Sequence, residues 1–90
     1  MFDWDEDNIR HIAEHDVSPE ETEQVLANHP SEPILQIVND KERYFQCGIT
    51  DEDRCLVVVT TWRGEGLIRV VTAYPAPPAL RRKYYRERGL

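Results

Sequence analysis

The chain has 90 residues, enough for one domain with one small core and too few for two. With 40% hydrophobic and 31% charged residues it reads as a globular rather than a disordered chain, and no apolar run approaches the ~20 residues a membrane span needs. The net charge of −6 is unevenly spread: residues 1–40 hold a single base, Arg10, and a net −10, whereas residues 41–90 carry +4. An acidic protein is a poor general binder of nucleic acid, but the second half can still present a local basic surface to phosphates.

The start, Met1-Phe2-Asp3-Trp4-Asp5-Glu6-Asp7, lacks the basic and apolar regions of a signal peptide, so the expected compartment is the cytoplasm. Asp5 to Glu14 carries Ile9, Ile12 and Ala13 at helical spacing, with Asp5 able to cap the helix. His15-Asp16-Val17 interrupts it. Ser18-Pro19-Glu20-Glu21 then opens a second helix: Ser18 at the N-cap, Pro19 at N1, and Glu21 at N3 completing a capping box. Val25 and Leu26 supply its apolar side, and Pro30 ends it.

Beyond Pro30 the period shortens. Ile34 to Val38 is a short apolar run, Asn39-Asp40 a turn, and Arg43 to Ile49 a strand. Thr50 to Asp53 is a polar turn, and Cys55 to Trp62 is the strongest strand. Arg63-Gly64-Glu65-Gly66 joins it to a strand from Leu67 to Tyr74, stopped by Pro75, Pro77 and Pro78. Ala79 to Arg88 is a basic helix that Gly89 can terminate. The expected fold is α+β: two N-terminal helices, an antiparallel meander of about four strands and a C-terminal helix in one domain, 1–90, with Phe2–Trp4 as a possible extra edge strand. Cys47 and Cys55 are expected to be free, partly buried thiols, and Trp4 and Trp62 to be core residues.

The ordered series Phe2-x-Trp4-Asp5, His15-x-Val17-Ser18 with Pro19-Glu20-Glu21, Glu42-Arg43 leading to Gly48, Leu56-Val57-Val58-Val59, Thr61-x-Arg63-Gly64, and Ile68-Arg69-Val70-Val71-Thr72-Ala73 resembles the BrnT-type toxin family over nearly the whole chain. The Arg81-Arg82-x-Tyr84-Tyr85 helix matches in character. The resemblance implies a small ribonuclease toxin of RelE-like fold that cuts RNA without metal or other cofactor. It also implies neutralisation by a ribbon–helix–helix antitoxin that binds operator DNA. Two departures bear on catalytic strength: Tyr74 follows Thr72-Ala73 where the family commonly has arginine, and Pro75-Ala76-Pro77-Pro78 replaces a basic linker.

Metal-free RNA cleavage needs a base for the 2′-hydroxyl, cations for the phosphorane and an acid for the leaving oxygen. All three histidines, His11, His15 and His29, lie in the acidic half, which disfavours a paired-histidine site unless the fold brings a helix across. Arg63 and Arg69, on adjacent strands flanking one hairpin, are the expected phosphate holders, since the guanidinium fork matches phosphate oxygens. Glu42 is the candidate base, and Tyr84 or Tyr85 the residue that stacks a base or donates a proton. Lys41, Arg43, Arg81 and Arg82 complete the expected RNA contacts.

Plainer readings stand beside these. Strand arginines can be solvated edge charges, Glu42 a surface partner of Arg43, and Tyr74 a core residue with a wet hydroxyl. Arg81-Arg82-Lys83 can simply be cations in the C-terminal half of a helix. His11 and His15 with Asp7 share a helix face and form a weak candidate metal site. The alternative function is a catalytically inactive interaction module on the same fold. Alone, the chain is expected to be a monomer or weak dimer.

Overall fold

In a computed structural model, which describes residues 1–89, the chain forms α1 (Glu6–Ala13), α2 (Pro19–Ala27), β1 (Ile34–Val38), β2 (Lys41–Ile49), β3 (Cys55–Trp62), β4 (Ile68–Pro75) and α3 (Pro78–Arg88). This is the expected α+β order. The strands make one antiparallel sheet in sequence order, β1-β2-β3-β4. Short connections dictate that meander, because each tight turn returns the chain beside the strand it has just left.

The β1–β2 turn places both Asn39 and Asp40 at positive φ, 52° and 64°. That geometry suits a two-residue hairpin, so β2 begins at Lys41 rather than at Arg43. Between β3 and β4 the register slips at Val59/Thr60: Val59 pairs with Thr72 and Thr60 with Val70, so Val71 is an extra residue. The anticipated N-terminal strand is a single parallel bridge from Phe2 to Ile68, with the Asp3 N–H donating to the Ile68 carbonyl at 2.9 Å.

Side chains alternate across the sheet, and the two faces have different covers. On one face Ile12, Val17 and Val25, from the helical half, bury Leu56, Val58, Val70 and Ala73. On the opposite face Tyr84 of α3 covers Cys47 and Cys55 at one end. α1 is pinned to β4 by the buried Asn8. Its Nδ2 donates to the carbonyls of Asp3 (2.9 Å) and Val70 (3.3 Å), and its Oδ1 accepts from the Asp5 N–H at 2.8 Å.

Two expectations are corrected. Cys47 and Cys55 are free but buried rather than partly buried, at 3% and 7% exposure, with Sγ atoms 3.6 Å apart. Burial, and then the neighbouring Cys55, pushes the Cys47 thiol up to about 12. Trp4 packs against the core as expected, but Trp62 does not: it is 59% exposed. Trp62 is the last residue of β3 and extends past the cover that the helices provide.

Candidate functional site

Asp5 is the residue around which the site is built. Its carboxylate caps α1, accepting from the backbone N–H of Asp7 (2.9 Å) and Asn8 (3.1 Å). The same carboxylate receives Arg69 in a two-pronged bond, Nη1 to Oδ2 at 2.8 Å and Nη2 to Oδ1 at 3.1 Å. The Arg69 bond, then the Asn8 N–H, holds the Asp5 carboxyl well below its ordinary value, at about 2. Reciprocally, Asp5 raises the Arg69 guanidinium above its ordinary value.

Asp3 completes the cluster. It accepts from Arg69 Nη1 at 3.5 Å and from Arg63 Nε at 3.2 Å. The two arginines expected to hold phosphate are therefore brought together, and both are already engaged by aspartates of the N-terminal segment. The Arg69 side chain is 17% exposed and tightly framed, whereas that of Arg63 is 52% exposed.

Next to this pair opens a cleft of about 750 Å³, to which both arginines, Lys41, Glu42, Arg43 and His11 contribute. The β1–β2 turn delivers Lys41, Glu42 and Arg43 to it. Glu42 is not an ion-pair partner of Arg43: the Arg43 guanidinium donates to the Glu42 main-chain carbonyl at 3.1 Å, and the Glu42 carboxylate accepts from the Tyr44 hydroxyl at 3.4 Å.

The sequence offered His11 only as a weak metal ligand, not as a member of the basic cleft. Because α1 packs along β4, it carries His11 across to the basic surface. His15 follows one turn later, its ring 6.2 Å from that of His11 and 6.1 Å from that of Tyr74. The four-residue spacing of the histidines was visible in the sequence, but it does not reveal which strand the helix lies on. Among the described residues no three His, Cys, Asp or Glu side chains gather to hold a metal, so the His11–His15–Asp7 alternative lacks a ligand set.

The α3 candidates lie elsewhere. Tyr84 is 4% exposed and its hydroxyl donates to the His29 carbonyl at 3.1 Å, with Arg88 5.3 Å from its ring centre. A side chain so enclosed supports the fold rather than reaching substrate. The Tyr85 hydroxyl is 3.5 Å from the Asp53 carbonyl. Arg81 and Arg82 are exposed on α3, outside the cleft.

Among the described residues no helix is long and apolar enough to cross a membrane. No individual curated protein matches the chain. The family model described as the ribonuclease toxin BrnT of type II toxin–antitoxin systems matches residues 4–79, a stretch that runs from Trp4 through every strand of the sheet. With so much of its length matched, the chain belongs to the BrnT family of ribonuclease toxins of type II toxin–antitoxin systems.

Proposed function

We propose that the chain cleaves RNA in the cleft beside Arg69, without a metal ion, by attack of a ribose 2′-hydroxyl on its own 3′-phosphate. The observation that carries the reading is the convergence of Lys41, Arg43, Arg63 and Arg69 with His11 and Glu42 in one cleft. Those residues come from four separate stretches of the chain, and together they meet all three demands of the reaction.

Glu42 or His11 takes the proton from the 2′-hydroxyl. The 2′-oxygen attacks phosphorus, and the bond to the 5′-oxygen of the next nucleotide breaks. The other of the two groups protonates that oxygen, leaving a 2′,3′-cyclic phosphate and a 5′-hydroxyl. Arg63 holds the phosphorane: its one side-chain bond among the described residues is through Nε, which leaves its two Nη groups to bond phosphate oxygens. Arg69, fixed by Asp5, orients that site. Arg81, Arg82 and Tyr85 contact nucleotides beyond the scissile one, and Tyr84 has no part in the chemistry. In this proposal the fold is RelE-like, the protein acts in the cytoplasm as a monomer or weak dimer when alone, and its antitoxin is of ribbon–helix–helix type.

A second reading is favoured by one observation. Asp3 and Asp5 already occupy the arginine pair, so the scaffold also suits a non-catalytic binding module. Cleavage of a labelled RNA in EDTA separates the two. The wild type should yield cyclic-phosphate ends, and folded Arg63→Ala and His11→Ala should each lose on the order of 100-fold in rate. A folded wild type that leaves the RNA intact selects the binding module.

A further inference from the structure

The helices do not cover the whole of their face of the sheet. α2 lies over β2 and β3, and the β1 side is open. On that open side Leu35 pairs with Tyr44 and Ile37 with Glu42, which places them on the same face as Val58. Leu35 is 50% exposed and Ile37 63%. They adjoin a hollow of about 460 Å³ whose walls include Phe2, Leu26, Tyr44, Trp62 and Ile68. An apolar edge strand left bare in this way invites wrong pairing unless something covers it.

Charge decides what can cover it. Glu23 stands in the wall of the hollow and Glu42 beside Ile37. RNA is repelled by such a rim, and a second copy would bring its own acidic rim against this one. A basic partner with an apolar stripe fits both features, with aromatic Trp62 as its anchor.

We infer that the antitoxin seats an amphipathic segment in this groove, its apolar side against Trp62, Leu35 and Ile37 and its basic side toward Glu23 and Glu42. The inference rests on the family's toxin–antitoxin pairing, but not on the proposed catalytic roles. Trp62 is a wall of both the apolar hollow and the cationic cleft. A segment anchored on it therefore reaches the edge of the RNA site, and neutralisation follows from obstruction.

The test uses Trp4→Phe protein, in which Trp62 is the only tryptophan, titrated with purified cognate antitoxin. Emission should shift to the blue and saturate as the exposed indole is covered. Ile37→Glu, at an exposed position outside the cleft, should bind the antitoxin at least tenfold more weakly in calorimetry while binding a short RNA as the wild type does; Leu35→Glu should behave alike. Antitoxin binding that leaves Trp62 emission unchanged, or that tolerates both glutamates, overturns the inference. So does a homodimer that Ile37→Glu dissolves while antitoxin affinity is unchanged, which would give the groove to a second copy. A protein that binds antitoxin through the groove yet never cuts RNA would sustain this inference and sink the catalytic proposal.

Discussion

Asp5 does two jobs with one carboxylate, and the second one sets an acid dependence. Its folded pKa, about 2, lies below the ordinary 3.8 because Arg69, then the Asn8 N–H, stabilises the charged form. A depressed carboxylate stabilises the fold above its unfolded pKa and loses that contribution as pH falls through the folded one. Wild-type stability toward urea should therefore drop between about pH 4 and pH 2, and Asp5→Asn, which keeps a capping side chain, should flatten that drop. Asp3 offers a complementary test. If the cleft takes RNA phosphate, Asp3 competes with it for Arg63 and Arg69, so Asp3→Asn should tighten binding of a short RNA at low salt, read as a lower Kd by fluorescence anisotropy. Gly48 is constrained by space: a Cβ there would lie 2.9 Å from Val25 Cγ1 and 3.3 Å from the Val25 carbonyl oxygen. Gly48→Ala should push α2 off β2 and cost about 1–3 kcal/mol in urea unfolding.

The helices differ in how their ends are specified. α2 has a reciprocal box: Ser18 Oγ accepts the Glu21 N–H at 3.2 Å, and the Glu21 carboxylate accepts the Ser18 N–H at 3.0 Å. That carboxylate also takes Arg54 at 3.0 Å, which ties the helix start to the β2–β3 side of the molecule. Ser18→Ala should cost about 1 kcal/mol, measurable by thermal or urea unfolding, with the sheet unchanged in circular dichroism. α3 has no side-chain cap. It starts at Pro78, a residue whose fixed φ suits a first helical turn, and Gly89 closes it at φ 72°. Its hold on the sheet comes from packing, through the buried Tyr84 ring on Cys47 and Cys55. α1 has both kinds of anchor, a capping box and the buried Asn8, and it carries the site's histidine.

At the scale of the molecule, the net −6 conceals a small cationic site on an acidic body. Such a site should bind short single strands with a modest salt dependence. Lys41, Arg43, Arg63 and Arg69 are its four cations. If all four meet phosphates, the slope of log affinity against log salt should be about −3. A slope near zero in a salt titration of a short oligoribonucleotide would remove the cleft as the RNA site. The same asymmetry keeps general nucleic-acid binding weak and leaves the acidic helical side to a basic partner.

The element order was legible in the sequence because its causes are local. Ser18-Pro19-Glu20-Glu21 starts a helix wherever it stands, Asn39-Asp40 turns a hairpin, and Leu56 to Val59 make a strand. A meander needs little more than that, since each turn returns the chain beside its neighbour. Arg63 and Arg69 were legible as a pair for the same reason, as they flank one hairpin. Three features were decided only by tertiary structure. Asp3 and Asp5 lie more than sixty positions from Arg69, and only the docking of the N-terminal segment on β4 joins them. His11 reaches the cations only because Asn8 and Ile12 seat α1 on β4, turning its next face toward the cleft. Tyr84 and Trp62 exchanged their expected places, one enclosed and one exposed. Local propensity sets which residues form an element; which side of it meets water depends on where the other elements stop, and that is a property of the packed molecule.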